Sequence, residues 1–204
     1  MQCQLADVAY RYGRQWLFRE VNALLKTGEI NLITGPNGAG KSTLLRLLAG
    51  ALETEAGQIR FLKDGKEIEE EERWRQIALV APYQELPEEF SLTELTALQD
   101  RFLPARESQK AYREELTSYF GLSAFATKPV REYSTGMKQK ARIILAFASN
   151  RPICLLDEPG SNLDVESCRL LHDFLRKEAR EKLVIIASND PTEIALGPLR
   201  LHLG

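Results

Sequence analysis

The 204 residues contain no apolar run approaching the roughly 18 that a membrane-crossing helix needs. The N-terminus, MQCQLADVAYRYGRQW, lacks the apolar stretch of a secretory signal, so no signal peptide is expected. A role at a membrane must come through a partner. Excess positive charge is also missing. Lys and Arg total 27 against 29 Asp and Glu, a formal net charge of −2. A general polyanion binder draws its affinity from surplus Lys and Arg, so no nucleic-acid partner is expected. Cysteine is scarce: Cys3, Cys154 and Cys168 show no CxxC spacing. With no secretion signal, they read as reduced thiols, which places the chain in the cytoplasm. Histidine is scarcer still, with only His172 and His202.

What is present is ordinary globular composition: 44% hydrophobic and 27% charged residues. A chain of this size buries roughly 70% of its unfolded surface, enough for a core without metal or disulfide. The runs INLIT (30–34), QIALV (76–80), ICLLD (153–157) and KLVIIAS (182–188) read as buried strands. Helical patterns fall at 42–49, twice within 91–120 around Pro104, at 137–149 and at 165–181. The first thirty residues read as strand, turn, strand. Asp64-Gly65 marks a hairpin, LRLHLG a short final strand, and Glu67 with Glu69 to Glu72 a solvated acidic surface. Buried strands alternating with helices imply an α/β fold on a parallel sheet.

Between strand 30–34 and helix 42–49 stands GPNGAGKST. Gly35, Gly40, Lys41 and Ser42 fit the phosphate-binding pattern G-x-x-x-x-G-K-[ST]. Chance would place such a match in a chain this long with a probability of roughly 1%. Gly35, Pro36, Asn37, Gly38, Ala39 and Gly40 form the loop whose N–H groups cradle phosphate. The helix start behind Lys41, Ser42 and Thr43 adds partial positive charge. Lys41 reaches the β- and γ-phosphates, and the Ser42 hydroxyl can bind Mg²⁺. A P-loop needs a strand-end carboxylate to anchor the metal's water shell, and ICLLDEP supplies Asp157. Glu158 follows directly and can polarise the attacking water as general base. Bound ATP with Mg²⁺ is therefore expected.

With these motifs in this order, the chain resembles ABC ATPases, the nucleotide-binding subunits of ATP-binding cassette transporters, over nearly its whole length. Their LSGGQ signature appears as YSTGM, with Ser134 and Gly136 before a helix. SNLD (161–164) matches the D-loop and places Asp164 at a dimer interface. Tyr12 sits where the family stacks an aromatic on adenine, with Tyr10 as rival. Gln84 is the Q-loop candidate, a Mg²⁺ or water contact. Counting back from SLTEL selects it, while counting forward from QIALV points nearer Pro82. Where the family has a switch histidine, the matching position is Asn189. His172 and His202 fall elsewhere and are expected to be structural. Asn can donate a neutral hydrogen bond to γ-phosphate but cannot carry a proton, so slow but real hydrolysis is expected.

The resemblance implies a P-loop NTPase of ABC type, with a parallel core sheet, an antiparallel β subdomain and a helical subdomain. Residues 1–84 and 151–204 would form the nucleotide-binding core with the β subdomain. Residues 85–150 would form the helical subdomain with the signature. It implies composite sites between two cassettes, as a homodimer or a cassette heterodimer. It also implies an integral membrane transporter subunit that holds the chain on the cytoplasmic face. The length is similar to that of the haem-exporter cassettes of cytochrome c maturation, so the expectation is the ATPase of an exporter. The alternatives are a non-transport ABC ATPase and a weakly hydrolysing, ATP-gated switch.

Overall fold

The computed structural model describes residues 1–102 and 107–204. Pro104 and its neighbours, expected to break two helices, lie outside the described residues.

Five short apolar runs build the centre. They are β3 (Ile30–Thr34), β6 (Ile77–Val80), β7 (Ile153–Asp157), β8 (Leu183–Ala187) and β9 (Leu199–His202). They join in the order β6-β7-β8-β3-β9, all parallel. Every residue of β3, β7 and β8 is buried, because helices cover one face, and one helix with a second sheet covers the other. The period of two sorts the side chains. Leu32, Val80, Leu156 and Ile186 enter one core with Ile143, Phe147 and Leu171. Their neighbours Ile33, Leu155 and Ile185 enter the other with Leu44, Leu45 and Phe61.

The second sheet is antiparallel, in the order β2-β1-β4-β5. It comprises β1 (Gln2–Tyr12), β2 (Gln15–Lys26), β4 (Ala56–Lys63) and β5 (Lys66–Glu67). It meets the parallel sheet through α1 (Lys41–Leu48), whose Leu44, Leu45, Leu47 and Leu48 are buried. Asn31 is the polar exception inside β3. It is wholly buried yet satisfied, accepting from Lys26 N and donating to the carbonyls of Lys26, Glu29 and Val184. Its bonds fasten the turn between β2 and β3.

The remaining helices are α2 (Glu70–Gln76), α3 (Leu92–Phe102), α4 (Glu107–Tyr119), α5 (Thr135–Ala148), α6 (Val165–Glu178) and α7 (Pro191–Ile194). The acidic run at 69–72 opens α2, where carboxylates near the N-terminus suit the helix dipole. Both α3 and α4 pack on α5. Ligands of open parallel sheets bind beyond the carboxyl ends of the strands. Here those ends carry the P-loop after β3, Asp157 and Glu158 after β7, and Asn189 after β8.

Candidate nucleotide site

The P-loop wraps between β3 and α1. Gly35 follows β3 at φ 148°, and a Cβ there would lie 2.2 Å from the Leu203 carbonyl oxygen. Gly40 caps α1 at φ 100°, and its Cβ would lie 2.7 Å from Leu17 Cδ2. Only glycine fits either place without displacing neighbours. Lys41 is 7% exposed. Its Nζ donates to the carbonyls of Gly35 at 2.7 Å and Pro36 at 3.2 Å, so the ammonium is folded inside its own loop.

β7 delivers the acidic pair. Asp157 is 4% exposed at the strand end. Burial pushes its carboxyl up, while a hydrogen bond with the Ser42 side chain and the charge of Lys41 pull it back. Glu158 is only partly buried and adopts φ 45°, a left-handed conformation that costs a non-glycine residue about 1–3 kcal/mol. Its N–H donates to the Ala187 carbonyl at 2.9 Å, which fastens this bend to β8. Strain held by neighbours at a strand end is typical of functional positions.

Asn189 follows β8, and its Nδ2 donates to Asn37 Oδ1 at 3.0 Å. The position expected to hold a switch residue thus touches the P-loop. Tyr12 reaches it from β1: its hydroxyl lies 3.4 Å from Thr43 Oγ1, and its ring is 53% exposed. Tyr10 meets Tyr12 edge-on, with centroids 5.1 Å apart, and is the more buried of the two. Tyr12, Leu17, Asn37, Gly38, Lys41 and Glu158 are among the walls of a cavity of about 470 Å³. Its volume lies in the range of small-molecule sites.

Other expected residues stand apart from this cavity. Gln84 is turned away: its Oε1 accepts from Ala81 N at 2.9 Å, and its carbonyl accepts from Arg142 Nε at 2.7 Å. It lines a separate cavity with Trp74, Leu86 and Arg142. The adjacent Tyr83 faces α1 instead, with the Arg46 guanidinium 4.2 Å from its ring centroid. Ser134 caps α5, accepting from Met137 N at 3.2 Å, and Asp164 caps α6, accepting from Ser167 N at 2.7 Å. That bond holds the Asp164 carboxyl below its ordinary range. Both residues are exposed. A Cβ on Gly136 would lie 2.9 Å from the Asn162 carbonyl, so the YSTGM and SNLD segments touch each other within the chain. His172 lies on α6, and His202 Nδ1 pairs with Thr34 Oγ1 at 2.9 Å.

The donor set suits Mg²⁺. A buried carboxylate hydrogen-bonded to a hydroxyl presents hard oxygen ligands, and Ser42 with Asp157 fits that need. Among the described residues no group of three or more His, Cys, Asp or Glu could hold a metal alone. The remaining ligands would be phosphate oxygens and water. Sequence reasoning did not single out Glu193, a 3% exposed carboxyl behind the Glu158 bend. Its signal was Asp190-Pro-Thr-Glu193, a helix-start pattern whose glutamate is expected to turn back to the cap.

The sequence matches the family described as ABC transporter over residues 18–161. It is similar to the cytochrome c biogenesis ATP-binding export protein CcmA of Zymomonas mobilis subsp. mobilis, 35% identical over 89% of this chain and 75% of that protein. The CcmA of Rhizobium meliloti is 33% identical over 96% of this chain and 94% of its own length. Among solved structures, the dimeric post-hydrolysis state of the ATP-binding cassette MJ0796, bound to ADP and Pi, superposes with a TM-score of 0.84. That match is 25% identical and covers 98% of this chain and 94% of that one.

Proposed function

This chain belongs to the ABC transporter ATP-binding family, and from that membership we propose how its own residues run the ATPase cycle. It binds and hydrolyses ATP to drive transport. No helix among the described residues is long and apolar enough to cross a membrane, which supports a separate membrane subunit as partner. The relatives named for export in cytochrome c biogenesis favour an exporter of that kind.

Tyr12 stacks on adenine. The loop N–H groups of residue 35 and residues 37–43 hold the β- and γ-phosphates. Lys41 exchanges its two carbonyl partners for phosphate oxygens. Ser42 and Asp157 hold Mg²⁺, which when bound neutralises phosphate charge. Glu158 accepts a proton from the attacking water as its oxygen bonds to the γ-phosphorus. The bond to the β–γ bridging oxygen breaks, and ADP keeps the electron pair. Asn189 donates a neutral hydrogen bond to the γ-phosphate. Gln84 acts from outside the cavity, at the boundary between the 1–84 and 151–204 core and the 85–150 helical piece. Ser134, Gly136 and Asp164 close over the site of a second cassette, identical or different.

One observation carries this reading. The carboxyl ends of β3, β7 and β8 bring Lys41, Ser42 with Asp157, Glu158 and Asn189 to a single place. The test is Mg-ATP hydrolysis by the purified chain at rising concentration, against Glu158→Gln. Turnover rising faster than linearly and lost in the variant is the expected result, and it means homodimeric sites. Linear, Glu158-independent turnover would overturn the assignment. ATP-driven pairing without turnover would favour the second reading, a gated switch, which Asn189 in place of histidine motivates.

A further inference from the structure

We propose that Glu193 is a positioning residue, tying the segment around Asn189 to the bend that carries Glu158. The inference rests on the site reading above. A buried carboxylate is costly unless hydrogen bonds satisfy it. Glu193 is 3% exposed, and its Oε1 accepts from Gly160 N at 2.6 Å. Ser188 Oγ accepts from Asp190 N at 3.0 Å, and Glu193 N donates to the Asp190 carbonyl at 3.1 Å. Hydrogen bonds therefore run from Ser188 through Asp190 and Glu193 to Gly160 N. One end brackets Asn189. The other lies two residues beyond Glu158 and four before Asp164.

The surroundings admit this bridge and little else. A Cβ on Gly160 would lie 2.7 Å from Glu193 Oε1, so the bend needs glycine for the carboxylate to enter. Cys168 Sγ, on α6, meets the Gly160 carbonyl at 3.6 Å. The charged groups acting on Glu193 are Asp190 and Glu158, both acidic. Its hold on the two segments is therefore by hydrogen bonds rather than by an ion pair. Ser161 N donates to Glu158 O at 3.0 Å and Leu163 N to Gly160 O at 3.1 Å. Fixing Gly160 thus fixes Glu158 on one side and the Asn162–Asp164 stretch on the other. Movement at Asn189, which touches the P-loop, would reach the exposed Asp164 surface along this path.

The test compares Glu193→Ala, Glu193→Gln and Ser188→Ala with the unaltered chain and Glu158→Gln. Glutamine keeps the acceptor for Gly160 N–H. Glu193→Ala should lower kcat at least about tenfold, the scale of a lost hydrogen bond to a charged group, and leave KM within about twofold. Glu193→Gln should restore kcat to within about threefold. Amide hydrogen exchange should quicken at Gly160 in Glu193→Ala and also in Ser188→Ala, which lies across the bridge. Native kcat in Glu193→Ala, no rescue by glutamine, or unchanged Gly160 exchange in Ser188→Ala would each overturn the proposal. If the unaltered chain showed no Glu158-dependent turnover, the site reading would fail. The bridge would then be decided by exchange alone.

Discussion

The two ends of the site are built differently. At the P-loop end, side chains from three parallel strands meet in one chain. Lys41 and Asp157 are buried, and each already has partners inside the loop. At the other end, Ser134 and Asp164 are exposed helix caps whose bonds go to their own helices. No signature residue is among the walls of the P-loop cavity. On the proposed reading the first end holds a nucleotide by itself. The second offers a hydroxyl and helix-start N–H groups to something outside the chain, and an anion suits them.

The largest effect should come from the buried end. Lys41→Ala removes the positive charge proposed to meet the phosphates, and loss of one such donor costs about 100- to 1,000-fold in turnover. Nucleotide titration should show weaker binding in the isolated chain as well. Asn189→Ala should cost about tenfold in turnover and little in affinity, because one hydrogen bond to a charged group is lost. Ser134→Ala should cost less, about fivefold, because the N–H groups at the start of α5 remain. Its defect should appear only in ATP-driven pairing and turnover. If Ser134→Ala weakened nucleotide binding by the single chain, the contrast between the two ends would collapse.

The sequence made the buried end legible because that end depends on order along the chain. Runs such as INLIT and ICLLD must be buried strands, and the residues just after a parallel strand lie at its carboxyl end. So Lys41, Asp157 and Glu158 could be placed together without coordinates, and the resemblance to ABC ATPases added Asn189. Residues whose role depends on direction were not legible. Counting could bring Gln84 near the strand end but could not show that its amide turns back to Ala81 N. Glu193 was hidden because its partner Gly160 comes from another segment. Helix α2 was hidden because EEERWRQ carries no apolar stripe, and none of its residues is buried. The strand-turn-strand reading of the first thirty residues agrees with β1 and β2, although register shifts and the positive φ of Asp7 blur the alternation in β1.

The smallest effect should fall on stability, in the helical piece. Arg113 on α4 forms a two-pronged pair with Asp100 on α3, spanning the segment between those helices. The guanidinium's hydrogen bonds hold the Asp100 carboxyl below its ordinary range, against a weaker opposing effect of burial. A carboxyl depressed in the folded state stabilises fully above its unfolded value, about 3.9, and loses that contribution as pH falls through the folded value. Asp100→Asn should therefore cost about 1–2 kcal/mol near neutral pH, allowing for partial exposure of the pair. That is a fall in Tm of roughly 2–8 °C for a chain of this size. Below a pH of about 4 the difference between variant and parent should shrink, because the unfolded parent takes up a proton that its folded carboxylate still refuses. Turnover at neutral pH and room temperature should stay unchanged, since Asp100 touches neither end of the site. A variant equally destabilised at neutral pH and at a pH of about 3 would show that packing, not charge, joins α3 to α4.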